Sequence, residues 1–134
     1  MMITSIDEFV RLATSTDPDE HGRVKTEDVP EALQWAILAA HPELVWSVLW
    51  NNSVSVAVLR KYAGDPDASI RFSVAMKRKL PVDLFQLLAM DVDASVRHRI
   101  ACNAKTPTNI LEQLTEDAES FVAEDARIRL LRRA

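Results

Sequence analysis

The sequence predicts an all-α protein built as a stack of paired helices, and three observations carry that expectation. Sliding the chain by 26 residues sets 54–79 against 80–105 with nine identities: Val56/Val82, Ala63/Ala89, Asp65/Asp91, Asp67/Asp93, Ala68/Ala94, Ser69/Ser95, Arg71/Arg97, Ala75/Ala101 and Lys79/Lys105. Self-similarity at a fixed period of about 20–50 residues marks stacked repeats. The apolar residues inside each copy recur at helical spacing, Leu84 with Leu87 and Leu88, and Ile70 with Val74 and Ala75; neither set alternates as a strand would. Finally, the chain has only two glycines, Gly22 and Gly64, too few for the tight turns of an all-β protein.

From the N-terminus, a helix is expected near Ile3–Ala13, followed by a polar connector, "STDPDEHGRVKTEDV". Residues 1–29 are thus a cap and connector, and four repeats follow at 30–53, 54–79, 80–105 and 106–134, all within a single domain spanning 1–134. The first repeat is degenerate. It offers a helix from about Pro30, a turn at His41–Pro42 and a helix bearing Leu44, Val48 and Leu49, with Ala39, His41 and Val45 in place of the acids and the arginine. Terminal repeats commonly drift in this way because one side lacks a neighbour.

The later repeats are more regular. Their first helices open at Pro81 and Pro107, proline being tolerated where a helix has no partner for an N–H, and Thr106 is placed to cap. An Asp-x-Asp turn follows, with Asp67 and Asp93 positioned as N-caps of the second helices. The core expected between layers is Ile70, Val74, Leu84, Leu87, Leu88, Val96, Ile100, Ile110, Leu111 and Leu114. The last repeat keeps Pro107, Leu114, Asp117 and Val122 but carries Ala123 where the arginine stood, and ends in the basic "RIRLLRRA".

The pattern "L-A-x-D-x-D-x-S-V-R-x-x-x-A" followed by "T-P-x-x-I-L-x-x-L" resembles the leucine-rich repeat variant group of HEAT-like bacterial repeats, well over residues 54–122 and poorly over 30–53. The resemblance implies a right-handed α-solenoid. Relatives of that kind serve as scaffolds, as inhibitors or immunity proteins and, in one branch, as DNA glycosylases. The Cys-rich metal cluster that some carry is beyond a chain with the single Cys102.

Charge and cysteine usage bound the setting. Residues 1–69 carry 11 acids and 5 bases, residues 70–134 carry 9 and 11, and the whole chain is at −4. Such a dipolar chain can steer a charged partner, although a lopsided solvated surface gives the same pattern. One cysteine excludes an internal disulfide and fits a reducing compartment. The opening "MMITSIDEFVRLA" lacks the basic-then-apolar order of a secretion signal, and no apolar run approaches a membrane span, so a soluble cytoplasmic protein is expected.

Candidate sites fall into two groups. Arg71 and Arg97 recur together with Asp65, Asp67, Asp91 and Asp93, so each arginine is expected to bridge the acidic turn of its own or the adjacent repeat and fix register. On the second helices, the positions two and six residues beyond the first core residue lie opposite the core arc. They hold Trp46 and Trp50, Phe72 and Met76, His98 and Cys102, then Glu124 and Ile128. Trp46, Trp50, Phe72, Met76 and His98 are the candidate partner-binding residues, since solenoids bind on that face and aromatic residues anchor interfaces. The alternative is that the tryptophans pack beneath the N-terminal helix.

His98 and Cys102, one turn apart, share a helix face, but two ligands do not make a zinc site, and His21 and His41 lie in other segments. No metal or other cofactor is therefore expected. Neither a phosphate loop nor a nucleophile motif is present, and no catalytic residue is assigned. The expected function is a non-enzymatic module that takes a protein partner on its concave face, of inhibitor or immunity type. The alternative is nucleic-acid binding in the manner of the HEAT-like glycosylases, over "MKRKL", Arg97, Arg99, Arg127, Arg129, Arg132 and Arg133.

Overall fold

The computed structural model describes residues 1–134, which form ten α-helices and no strand. They fall into two compact units, Met1–Leu59 and Arg60–Ala134. The first contains α1 (Ile6–Ala13), α2 (Pro18–Thr26), α3 (Glu31–Ala40), a 3-10 turn (Pro42–Leu44) and α4 (Val45–Trp50). Helix α5 (Val56–Ala63) runs across the boundary, and the second unit continues with α6 (Ala68–Ala75), α7 (Val82–Ala89), α8 (Ala94–Cys102), α9 (Thr108–Leu114) and α10 (Ser120–Arg133). No helix is long and apolar enough to cross a membrane.

In the first unit, Ile3, Phe9, Leu12, Val24, Ile37, Val45, Val48 and Leu49 form the core. The stretch read as a polar connector contains α2. Its signal lies in the ends: Asp17 caps by accepting from the Asp19 N–H, Pro18 occupies the first turn, acids follow, and Arg23 and Lys25 close the last turn. Only Val24 of α2 is buried, so apolar periodicity is silent there. The N-terminal helix begins at Ile6 rather than Ile3: Ile3 donates its N–H to the Asp28 carbonyl at 2.9 Å, and Ser5, in extended conformation, caps the helix. Leu44 lies in the 3-10 turn and is half-buried; Val45 takes the core position assigned to it.

The second unit buries Ile70, Val74, Leu84, Leu88, Val96, Ile100, Ile110, Leu111 and Leu114. Leu87 is the exception at 52 % exposed, and Phe85 is buried in its stead. At about 100° per residue, Leu84, Phe85, Leu88 and Ala89 share one arc of α7, and Leu87 stands about 130° from its middle. The i+3 leucine lies on the wrong side of Leu84. Two details at helix starts also differ. Pro81 and Pro107 occupy the N-cap itself, one position outside the helix. Thr106 does not cap α9: it is buried, and its hydroxyl donates to the Ile100 carbonyl at 2.6 Å, closing the end of α8.

Replacing Leu88 by alanine is expected to cost about 2–5 kcal/mol of unfolding free energy, the range for truncating an enclosed leucine. Leu87→Ala should stay within about 0.5 kcal/mol of the parent. Urea titrations of the two variants side by side check this placement of the core.

Candidate functional site

The repeated arginines meet two acidic turns each. Arg71 donates through Nε to Asp91 Oδ2 at 2.8 Å and through Nη2 to Asp91 Oδ1 at 3.1 Å, while Nη1 donates to the Asp65 carbonyl at 2.8 Å. Arg97 repeats the arrangement one period on: Nε and Nη2 to Asp117 at 2.8 and 3.2 Å, and Nη1 to the Asp91 carbonyl at 2.7 Å. The guanidinium fork therefore holds the backbone of its own turn and the carboxylate of the next. Asp91 and Asp117 also accept the N–H two residues on, from Asp93 and Glu119, at 2.9 Å each. Asp67 and Asp93 then cap α6 and α8 by accepting from Ser69 and Ser95 at 2.8 Å.

The four charged side chains of these clamps are largely enclosed. The bonds to Asp91 and Asp117 outweigh burial and push the Arg71 and Arg97 guanidinium pKa values up. Burial pushes the Asp117 carboxyl up, but the Arg97 bond and the Glu119 N–H together outweigh it, leaving it below the usual carboxylate range. By contrast, the Arg60–Asp83 pair lies in solvent.

The face opposite the core is described unit by unit. On α4, Trp46 and Trp50 are 46 % and 39 % exposed. The Trp50 ring stacks on His21 of α2 at 5.4 Å between centroids, and Lys25 Nζ stands 5.9 Å from it. It is α2, the segment read as a connector, that flanks Trp50. In the second unit, α8 packs against both α6 and α10. Met76 is 50 % exposed, Phe72 and His98 are half-buried, and Glu124 and Ile128 are exposed on α10. Phe121, which the sequence reading passed over, is exposed on α10 and meets the His98 ring edge-on at 5.2 Å.

His98 and Cys102 acquire a third neighbour from α10. His98 Nε2 lies 2.5 Å from Asp125 Oδ2, Cys102 Sγ lies 3.6 Å from that same nitrogen, and Sγ to Asp125 Oδ2 is 3.8 Å. Burial pushes the Cys102 thiol up; Arg129 and Arg99 pull it the other way without overcoming that. Nothing in the repeat marks Asp125, because the third copy diverges from the second along this helix.

Three buried amides were also missed. Asn103 Nδ2 donates to the Ala75 and Lys77 carbonyls at 2.9 and 2.8 Å, and Asn51 Nδ2 donates to the Val24 and Glu27 carbonyls at 2.6 and 2.8 Å. Each thus satisfies the free carbonyls at the end of an adjacent helix. Gln34 Nε2 donates to the Val29 and Ser53 carbonyls, and its Oε1 accepts from the Ser55 N–H. Asn51 and Asn103 stand two repeat periods apart, a regularity that the interposed Lys77 hides. Of the basic residues read as a track, Arg97 is held by Asp117, Arg127 donates to the Thr115 carbonyl, and Arg133 donates to Thr108 and the Ala104 carbonyl.

Comparison of the chain with protein-family models, with curated proteins and with solved structures finds no match.

Arg97→Ala strips Asp117 of its fork inside an enclosed site and is expected to cost about 2–4 kcal/mol. The exposed Arg60→Ala control should leave the denaturant midpoint unchanged, so equal effects would contradict the difference in burial. Asp117 adds a pH signature. Because its folded-state pKa is depressed, its stabilisation is complete above the unfolded value of 3.8 and is lost as pH falls through the folded value. Asp117→Asn should therefore be less stable than the parent at about pH 6, with the gap narrowing below about pH 4, as read from midpoints across that range.

Proposed function

We propose that this chain is a non-enzymatic binding module of the cytoplasm. It is a HEAT-like α-solenoid of the leucine-rich repeat variant kind that takes a protein partner on the outward faces of its second helices. An inhibitor or immunity-type antagonist is the role that the sequence resemblance suggests for it. The single observation behind the reading is the exposure of large apolar side chains on those helices: Trp46 and Trp50 in one unit, Met76, Phe121 and Ile128 in the other. Such groups are uncommon on an idle surface when they gather, and aromatic residues dominate binding energy where partners dock.

The solenoid reading is supported by the succession of helical pairs α3–α4, α5–α6, α7–α8 and α9–α10 along residues 30–134, with α1–α2 in the position of the cap. It is supported also by the two clamps of identical form, each reaching 20 residues forward. A right-handed stack and membership of the bacterial repeat group rest on the sequence resemblance. The nucleic-acid alternative loses weight because several of its arginines already serve the fold. Arg78 and Lys79, exposed after α6, remain its best support.

The test begins with partners captured on the full chain. Trp46→Ala and Met76→Ala should leave the far-ultraviolet circular dichroism unchanged, and at least one should weaken the captured complex by about 2 kcal/mol or more, roughly 30-fold. Undiminished binding by both would end the reading. Loss on Lys79→Ala alone, with affinity falling steeply as salt rises, would favour nucleic acid.

A further inference from the structure

We propose that His98, Cys102 and Asp125 form a metal site for a divalent transition ion, zinc by its ligand chemistry, joining α8 to α10. The inference goes beyond partner binding and does not depend on it. Its basis is the convergence of one nitrogen, one sulfur and one oxygen on a single point from two helices. His98 and Cys102 lie one turn apart on α8, and Asp125 faces them from α10.

The triangle they make is close to one face of a coordination tetrahedron. Bonds of about 2.0–2.1 Å to nitrogen or oxygen and about 2.3 Å to sulfur place tetrahedral donors about 3.3–3.6 Å apart. The sulfur–nitrogen and sulfur–oxygen edges stand at 3.6 and 3.8 Å. Only the His98–Asp125 edge, now a 2.5 Å hydrogen bond, has to open, by about 0.8 Å. Both side chains retain solvent access, so a path for the ion exists and they are free to adjust.

The same atoms argue against nucleophilic catalysis. In a Cys-His-Asp relay, the thiol and the carboxylate must engage opposite ring nitrogens, so that the carboxylate orients the imidazole while the other nitrogen takes the thiol proton. Here both meet Nε2. Two groups crowding one nitrogen are poorly arranged for relay and well arranged to surround an ion.

Ligand type narrows the metal. Thiolate with imidazole and carboxylate is a borderline-soft set that suits zinc rather than calcium or magnesium, and three protein donors leave one position for water. Thiolate and carboxylate together neutralise a doubly charged ion, so the loaded site carries no net charge beside the nearby Arg99 and Arg129 cations. Binding releases the thiol proton to solvent and requires the imidazole N–H to reside on Nδ1, freeing Nε2 to coordinate. The Phe121 ring walls one side of the imidazole.

The experiment uses the full chain freed of metal and titrated with Co2+, then with Zn2+. A thiolate-to-cobalt charge-transfer band should appear and saturate at one ion per chain, and Zn2+ should displace the cobalt and raise the melting temperature. Cys102→Ser should abolish the band, and Asp125→Asn should weaken Zn2+ binding by about tenfold or more, while His41→Ala, which removes the surface His41–Glu43 pair, changes neither. Failure of the parent chain to give the band would overturn the proposal whatever the variants do. So would Zn2+ affinity that survives both Cys102→Ser and Asp125→Asn, which would trace binding to surface histidines.

Discussion

The constraint on which the second unit depends is that a largely enclosed guanidinium must have each of its three nitrogens engaged. A guanidinium taken out of water is costly to leave unpaired. Arg71 and Arg97 meet the requirement by holding a carbonyl of one turn and both carboxylate oxygens of the next. The partner carboxylate must in turn be held still, and its second task, accepting a backbone N–H two residues on, does this. In the Asp91 turn that bond leaves Asp93 placed to cap α8. Helix start, turn shape and spacing between repeats are thereby set by one network. Enclosed ion pairs often add little net stability over apolar packing, but removing one member is severe; specifying register is the better-attested use of such pairs.

The first unit solves the same problem with neutral groups. Its repeat has Ala39, His41 and Val45 where the acids and arginine would be, and the amides of Gln34 and Asn51 gather the loose carbonyls instead. An amide carries donors and an acceptor on one rigid plane, so it can close a helix end and hold the next loop without burying charge. Asn103 applies the same device between α8 and α6. The amide device is thus common to both halves, and the second adds the arginine clamps to it.

How much of this was legible in the sequence depended on whether the signal was repeated or local. The 26-residue period pointed to the helices of residues 54–122, the caps at Asp67 and Asp93, and the pairing of arginine with acidic turns. Leu87 was misplaced because i+3 and i+4 spacing defines a stripe without saying on which side of it the core lies; that depends on α8 and α9, which pack on α7. Helix α2 was missed because it buries one residue and is written in its caps. Asp125 was invisible as a neighbour of His98 because it lies 27 residues away, on a helix along which the last copy departs from the pattern. Thr106 was read as a cap because hydroxyl residues favour that place, yet enclosed as it is, its hydroxyl turned back to the Ile100 carbonyl, which also accepts from the Asn103 N–H.

Each clamp reaches 20 residues forward, from an arginine to the aspartate that opens the next turn. A rung of fixed reach makes length a discrete quantity for this molecule. A lost or gained residue between Arg71 and Asp91 shifts one end of the rung, whereas a whole duplicated copy brings its own arginine and its own aspartate and finds the neighbour's already waiting. A molecule held in this way changes length more readily by an entire repeat than by a single residue, and residues 65–75 and 91–101, identical at six of eleven positions, carry the matching ends of the rung.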